Sequence, residues 1–178
     1  MNKVLTFAFI HAVFFALILS IFRQFPGVDV LENYFWGRHF ELGYYKHPPL
    51  FAWVQELFGM ALGVTVTSSY IICYSFIFIT FIAVYFLARE YVNPSKALIA
   101  VLLLEALSFA GISSRTFNAN LAQIPFWVLA PLFYLYGIKT KKSIHFALFG
   151  FFLGLGFLGK YFTLLLGFVI FISFISNS

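Results

Sequence analysis

The chain has 178 residues, of which 62% are hydrophobic and only 10% are charged. A soluble domain is about half apolar and about one quarter charged, so this composition excludes a soluble globular domain. The formal charge is +5, but the basic residues lie between apolar runs rather than on one face, so we expect no nucleic-acid partner. The single cysteine, Cys73, excludes an intramolecular disulfide and a zinc site with two thiolates.

Apolar runs that can cross a membrane recur along the chain, since a helix needs about 20 apolar residues for this. The first run, 4–22, is long for a signal peptide and has no small-residue cleavage site after it, which predicts a membrane helix. The last run is too long for one span and is interrupted near Lys160. The predicted spans are 4–22, 70–88, 97–113, 121–138, 143–158 and 161–176. The sequence thus predicts an all-α fold, a polytopic membrane helix bundle of about six transmembrane helices.

The lysines and arginines of the loops predict the orientation, because cytoplasmic loops carry an excess of them. Their number alone separates the two sides only weakly. The densest cluster is Lys139, Lys141 and Lys142, which faces the cytosol if the N-terminus does. We therefore expect a multi-pass protein of the cell inner (plasma) membrane, in contact with membrane lipid, whose long segment 24–69 lies on the external or periplasmic face.

The segment 24–69 carries two of the three tryptophans and most of the acidic residues, so it is more than a linker. Apolar residues at spacings of three and four predict an amphipathic helix over 29–42. Asp29 is its expected N-cap, and Glu32 would complete a capping box. His47 precedes two prolines, which forces an extended break, and a second helix is predicted over 50–62. The first helix is expected to lie in the membrane interface, and the second is either interfacial or re-entrant.

Polar residues from separate stretches are predicted to gather on this external face. They are Asp29, Glu32, Arg38, His39, Lys46 and His47 of the long segment, Arg115, Asn118 and Asn120 of the next external loop, and Lys160 at the tip of the last hairpin. Polar residues at membrane depth are costly and usually line a cavity. A cavity with two carboxylates and several cations suits an anionic, lipid-linked substrate.

The two acids, Asp29 and Glu32, share one helix face because they are three residues apart. They are interpreted either as a general base beside an orienting or metal-binding acid, or as residues that serve the helix N-terminus and its dipole. His39 and His47 are either metal ligands with Glu32 or interfacial histidines. No HExxH-like spacing is present, so no metal ligand is assigned and a divalent metal is left open as a cofactor.

The cations also allow two interpretations each. Arg38 and Lys46 either bind a phosphate or lie among lipid headgroups. Lys160 either binds a phosphate or Glu105, or extends its ammonium group to the membrane surface. Glu105 falls in an apolar helix, where it is expected to stay protonated or to pair with a lysine or arginine of a neighbouring helix.

The amides and aromatic residues of the same regions remain open in the same way. Asn118 and Asn120 either cap the start of a helix or hydrogen-bond a sugar or a phosphate. Aromatic residues of the long segment either stack on a sugar or form an interfacial belt; these are Trp36, Tyr44, Tyr45 and Trp53.

Three regions of the sequence, in order and over nearly the whole chain, resemble one known family. They are DVLE at 29–32 with WGR at 36–38 and GYYKHPPL at 43–50, then LLLE at 102–105 with FNAN at 117–120 and PFW at 125–127, then GLG at 154–156 with GKY at 159–161. These residues are similar to bacterial membrane glycosyltransferases related to the dolichyl-phosphate-mannose protein mannosyltransferases and the lipid A aminoarabinose transferases. GYYKHPPL is the most specific match. Family members are longer, so 1–178 is expected to be their N-terminal portion: a truncated reading frame, half of a split enzyme or a fragment.

The resemblance implies a C-type glycosyltransferase fold and sugar transfer from a polyprenyl-phosphate donor to a lipid, glycan or protein acceptor. Asp29 matches the first-loop acid that acts as catalytic base or orients the acceptor. Glu32 departs from the usual pattern, in which the two acids are adjacent. Lys46 and His47 match a polar pair, one member of which contacts the donor phosphate. Relatives in the aminoarabinose branch carry an aspartate near the position of Asn120, where this chain has an amide instead of a second carboxylate.

Two classes of function remain open at this point. In the first, a hexosyl- or pentosyltransferase, Asp29 accepts a proton from the acceptor while Arg38, Lys46 and Lys160 stabilise the leaving phosphate. In the second, a non-catalytic or remnant subunit binds a polyprenyl-phosphate lipid or assembles with a second chain that supplies further helices. A transporter would need a substrate site at the membrane midplane, whereas these polar residues are predicted at one surface.

Overall fold

A computed structural model describes residues 2–23, 25, 27–107 and 116–176, and the regular secondary structure of those ranges is entirely helical. In chain order the helices are α1 (Asn2–Phe22), α2 (Val28–Gly37), α3 (Leu50–Leu62), α4 (Val66–Arg89), α5 (Pro94–Leu104), α6 (Ala119–Thr140), α7 (Ser143–Gly159) and α8 (Thr163–Ser176). The predicted all-α fold is confirmed.

Three of the described helices are long and apolar enough to cross a membrane. They are Lys3–Phe22 in α1, Val66–Arg89 in α4 and Ala119–Thr140 in α6. The helices α5, α7 and α8 are apolar but shorter, and they correspond to the other three predicted spans. The described part of the chain is thus a polytopic helix bundle, with α2 and α3 inserted between the first two long helices.

A capping box explains why α4 begins earlier than the apolar run indicated. Thr65 Oγ1 accepts a hydrogen bond from the Ser68 backbone N–H at 3.0 Å, and Ser68 Oγ accepts one from the Thr65 backbone N–H at 3.1 Å. These two bonds satisfy donors that the first turn of a helix leaves free. The helix therefore begins at Val66 rather than at Tyr70.

The apolar run over 97–113 is only partly covered by α5. Asn93 caps this helix, because its side chain accepts a hydrogen bond from the Lys96 backbone N–H at 3.0 Å. The helix ends at Leu104. Residues 108–113 lie outside the described residues, so the second half of this predicted span has no structural counterpart to compare.

Glu105 does not lie near the middle of a helix, as the sequence predicted, but is the C-cap residue of α5. Its Oε2 lies 2.5 Å from Nε2 of His11 in α1. The imidazole is buried, with its ring centroid 4.7 Å from Phe15 and 4.9 Å from Phe81. The partner of Glu105 is therefore a histidine, not the lysine or arginine that was expected.

The helix predicted over 29–42 begins differently in the structure. α2 starts directly after Gly27, which supplies no side-chain cap, so Asp29 lies in the first turn and is not the N-cap. Glu32 consequently completes no capping box. A Cβ atom at Gly27 would lie 2.6 Å from Thr116 Oγ1, so a close approach between two chain segments requires glycine at this entry.

α3 has the bounds that the sequence predicted, and α2 packs closely against it. The helix ends at Leu62, and its C-cap Gly63 has a φ of 83°, a backbone conformation that favours glycine. A Cβ atom at Gly37, the last residue of α2, would lie 2.5 Å from the Ala52 carbonyl oxygen. The absence of a side chain at Gly37 therefore lets the two short helices touch.

Ring contacts show that α1 and α4 run antiparallel. Phe7 stacks on Phe81 with ring centroids 5.7 Å apart, and Phe15 stacks on Tyr74 at 5.6 Å. The later α1 residue thus meets the earlier α4 residue. The C-terminal end of α1 consequently lies beside the N-terminal end of α4.

α6 runs parallel to α4, and α7 returns antiparallel to α6. Phe76 contacts Phe117 ahead of α6, with ring centroids 4.9 Å apart, while Glu90 pairs with Lys139 at the opposite end. Gly159, the last residue of α7, packs on the first turns of α6. The end of α1, the starts of α4 and α6 and the α7–α8 turn therefore share one end of the bundle, which we call the site end.

Candidate functional site

A cavity of about 150 Å³ opens at the site end, between α2, the loop after it and the start of α6. It is lined by Asp29, Glu32, Asn33, Trp36, Lys46, His47, Phe51, Asn118, Ala119 and Asn120. Six of the eight site residues predicted from the sequence are in this set, and they come from three separate stretches of chain. The structure brings these side chains together, and their chemical roles stay proposals.

One face of α2 forms a wall of the cavity. Asp29, Glu32, Asn33 and Trp36 line it at spacings of three and four, which place side chains on the same side of a helix. Asn33 was not among the predicted site residues. Its spacing of four from Asp29 on a predicted helix was the signal that could have identified it.

Asp29 is joined to the start of α6 through Asn118. Asn118 Nδ2 donates a hydrogen bond to Asp29 Oδ2 at 3.3 Å. Oδ1 of the same amide accepts from the backbone N–H groups of Asn120 and Leu121, at 3.0 and 3.1 Å, and so caps α6. Of the two alternatives for Asn118, the capping role is therefore observed, together with a contact that orients the carboxylate of Asp29.

Glu32, the second acid, forms an ion pair across the cavity wall. Lys46 Nζ donates to Glu32 Oε1 at 2.8 Å. This hydrogen bond is the main cause that raises the pKa of Lys46 above its ordinary value, and the negative charges of Glu32 and Asp29 add to the effect. Lys46 is therefore positively charged at neutral pH, and its charge is balanced by Glu32.

His47 lies beside this ion pair and is half-buried. Partial burial lowers the pKa of His47 below its ordinary value, and the positive charges of Lys160 and Lys46 lower it further, against the opposing effect of Asp29 and Glu32. The imidazole is consequently neutral at pH 7. Its ring meets Phe51 edge-on, with centroids 5.6 Å apart, which fixes its position against the cavity wall.

Lys160, in the turn between α7 and α8, does not line the cavity itself but contacts a residue that does. Its Nζ donates a hydrogen bond to Asn120 Oδ1. Asn120 is neutral, so this contact does not balance the positive charge of the lysine. The packing of α7 on α6 explains the placement, since a Cβ atom at Gly159 would lie 3.2 Å from Gln123 Cβ. Glu105, the expected alternative partner, pairs with His11 instead.

Two predicted site residues, Arg38 and Lys160, are not among the lining side chains, and the Arg38 side chain also has no hydrogen bond or ion pair, within the described ranges, to a residue that lines the cavity. Arg38 is the C-cap of α2 and is exposed. His39 packs its ring against Phe35 at 6.2 Å. Arg115, also predicted to gather here, lies outside the described residues.

Two of the aromatic residues for which sugar stacking was one of two alternatives stack on each other. The rings of Trp36 and Tyr44 are 5.4 Å apart and inclined by only 8°. Lys46 Nζ lies 5.9 Å from the centroid of the Trp36 ring, which is within range of a cation–π interaction. One face of Trp36 is therefore occupied by Tyr44.

A divalent metal was left open by the sequence, and the described ranges supply no set of ligands for one. No group of three or more His, Cys, Asp or Glu side chains in those ranges is placed to hold a metal ion. At the cavity, Asp29 accepts from an amide and Glu32 from an ammonium group. Both acids thus already have hydrogen-bond partners of the protein.

The fold and the site together define a polytopic helical membrane protein with a polar cavity, rich in carboxylates, amines and amides, at one end of its bundle. The family model for dolichyl-phosphate-mannose-protein mannosyltransferases matches residues 46–178, which is more than half of the chain. The chain belongs to this family, whose members are glycosyltransferases that use polyprenyl-phosphate-linked sugars. No curated protein and no solved structure matches the chain.

The matched range divides the site into two parts. It includes the residues contributed by the loop, by α6 and by the α7–α8 turn, from Lys46 to Lys160. It does not include Asp29 and Glu32 of α2. The family resemblance seen in the sequence is confirmed, while the place of the two acids in the site rests on the geometry of the cavity.

Proposed function

We propose that the chain transfers a sugar from a polyprenyl-phosphate-linked donor to a cell-envelope lipid, glycan or protein acceptor on the external or periplasmic face of the inner membrane. The family supports the class of reaction, glycosyl transfer. One observation carries the assignment to this cavity. A carboxylate and an ammonium group are both hydrogen-bonded to the start of α6, Asp29 to Asn118 and Lys160 to Asn120.

The proposed reaction is a single displacement with inversion at the anomeric carbon of the donor sugar. The acceptor hydroxyl oxygen bonds to that carbon while the bond from the carbon to the phosphate oxygen breaks. Asp29 accepts the hydroxyl proton as a general base, and Asn118 holds its carboxylate in one orientation. The polyprenyl phosphate leaves with the bonding electron pair and, as a good leaving group, requires no proton from an acid.

Negative charge develops on the leaving phosphate, and a positive group placed there stabilises the transition state. Lys160 is assigned this role because its partner Asn120 is neutral, so its charge is available to the phosphate. Lys46 is balanced by Glu32 and is assigned the weaker role of a second phosphate contact. His47, being neutral, supplies a hydrogen bond rather than a charge.

The external location of the site is part of the proposal and is supported by the distribution of charge. The end of the bundle opposite the cavity carries Lys139, and Lys141 and Lys142 follow it. Such a cluster is typical of the cytoplasmic side. A donor whose lipid tail lies in the bilayer would present its phosphate to a cavity at the other surface.

The test is a transfer assay with the purified chain in liposomes. The donor is a radiolabelled mannosyl polyprenyl phosphate, and the acceptor is a membrane extract of the host. Asp29→Asn is expected to lower the transfer rate by about 100-fold or more, as loss of a general base does. Glu41→Gln, which changes an exposed acid outside the cavity, is expected to leave the rate unchanged. Equal rates for Asp29→Asn and the unchanged chain would contradict the proposal.

A further inference from the structure

We propose that Asn33 is a positioning residue, whose side-chain amide holds the start of α6 against α2 so that Asn118 can orient the Asp29 carboxylate. This inference rests on the proposed function, because Asn33 acts through Asp29 and not on the substrate. It concerns a residue that lies outside the range matched by the family model. The contacts of its side chain carry it.

Asn33 makes a buried hydrogen bond between two distant parts of the chain. Its side chain is 1% exposed, and Nδ2 donates to the Phe117 carbonyl oxygen at 2.7 Å. Phe117 immediately precedes Asn118. Since the two residues share a planar peptide unit, a shift of the Phe117 carbonyl moves the backbone of Asn118 with it.

The side chain of Phe117 secures the same segment from the opposite direction. It is fully buried, and its ring meets Phe76 of α4 edge-on at 4.9 Å. The segment ahead of α6 is thus attached to α4 by a ring and to α2 by a carbonyl. If the bond from Asn33 is removed, the ring contact with α4 and the close approach of Thr116 to Gly27 remain, but the Phe117 carbonyl loses its buried link to α2.

The hydrogen bond between Asn118 and Asp29, which we propose depends on Asn33, is long. The bond between Asn118 Nδ2 and Asp29 Oδ2 is 3.3 Å long, which is already beyond the usual range for N–H···O bonds. Asn33 follows Asp29 by four residues, or about 6 Å along the helix axis. The hydrogen bonds donated by the side-chain amides of Asn33 and Asn118 therefore link α2 to the start of α6 at successive positions. Loss of the buried bond from Asn33 is expected to lengthen the bond from Asn118.

A kinetic experiment separates positioning from a general contribution to folding. Asn33→Leu keeps the approximate volume and removes the donor; it is expected to lower kcat by about 10-fold with the donor KM unchanged. In an Asp29→Asn background the same change is expected to cause no further loss of kcat, because both substitutions act on the same contribution, that of the oriented Asp29 carboxylate. An equal further loss in that background would overturn the inference.

Gln55→Met is the matched control for Asn33→Leu. Gln55 is also a fully buried amide, donates to Ser69 Oγ at 3.2 Å, and lies outside the cavity. It is expected to lower thermal stability without changing kcat. If Asn33→Leu does not accumulate in the membrane, Asn33→Ala is compared in its place, since its methyl group has no proton to donate to the Phe117 carbonyl.

Chemical cross-linking measures the positioning without any activity. Asp29→Cys and Asn118→Cys are combined and treated with a short bis-methanethiosulfonate reagent, to which the buried Cys73 is inaccessible. Adding Asn33→Leu is expected to lower the yield several-fold, whereas adding Gln55→Met is not. Unchanged yield and unchanged kcat in Asn33→Leu would overturn this inference alone, while full activity of Asp29→Asn would overturn the proposed function.

Discussion

The amide of Asn118 donates to the carboxylate of Asp29 at 3.3 Å, across a separation of 89 residues in the chain. The oxygen of the same amide caps α6. One side chain therefore caps the start of a long apolar helix and orients the acid that we assign as the general base. This sharing makes the geometry of the cavity depend on how the membrane helices pack.

The two acids of α2 are expected to differ in their effect on transfer. Glu32→Gln removes the partner of Lys46, so the pKa of Lys46 falls towards its ordinary value while the amine stays charged at neutral pH. One more unbalanced positive charge then faces the donor phosphate. We expect a lower donor KM and a transfer rate within a few-fold of the unchanged chain. Steady-state kinetics measure both quantities, and a loss as large as that in Asp29→Asn would make Glu32 the base.

Lys160 is expected to act mainly on the donor phosphate. A hydrogen bond to a charged group is worth about 1.5–3 kcal/mol, so Lys160→Gln should weaken donor binding by about 10-fold or more. Lys96→Gln, at the opposite end of the bundle, is the control for a simple loss of positive charge. Donor titration at several salt concentrations gives the comparison. Equal donor affinity for Lys160→Gln and Lys96→Gln would contradict this assignment.

The depressed pKa of His47 predicts a loss of stability in acid. The folded chain binds a proton at His47 less readily than the unfolded chain, whose histidine has a pKa of about 6.5. Lowering the pH through that value therefore favours the unfolded chain. We expect the melting temperature of the unchanged chain to fall more, between about pH 7.5 and about pH 5.5, than that of His47→Gln. If the melting temperatures of the two proteins change in parallel with pH, the pKa of His47 is not lowered in the folded chain.

Much of the fold could be predicted because the apolar runs are long and their ends are marked locally. The helix over 50–62 was predicted with its observed bounds, since two prolines precede it and Gly63 ends it. The break near Lys160 likewise follows from the glycines around it. In both places the signal lies within a few residues of the boundary, which a sequence pattern can capture.

The parts that could not be predicted depend on contacts between distant residues. Asp29 was expected to cap α2, but its carboxylate accepts from Asn118 instead. The spacing of Asn33 from Asp29 indicates a shared helix face, but its hydrogen bond to the Phe117 carbonyl oxygen could not be predicted, because a backbone group has no sequence signature. Glu105 was assigned to a helix interior because the apolar run continues, whereas α5 ends at Leu104.

The α7–α8 turn that presents Lys160 is held by a hydrogen bond that can be tested through stability. Trp127 Nε1 donates to Thr163 Oγ1 at 2.7 Å, and Thr163 is 1% exposed. Thr163→Val leaves the indole N–H without this acceptor, which should lower the unfolding free energy by about 1–3 kcal/mol. Thr163→Ser keeps the hydroxyl and should retain most of the stability. Equal denaturation curves for the two variants would show that this bond contributes nothing.

The central claim is that polar residues from separate segments meet at the external surface of the membrane. Single cysteines at positions 29, 118 and 142, labelled in intact cells with a membrane-impermeant maleimide, test it most directly, because the native Cys73 is buried. We predict that Asp29→Cys and Asn118→Cys are labelled from outside, and that Lys142→Cys is labelled only after permeabilisation. Labelling of positions 29 and 118 from different compartments would contradict the account.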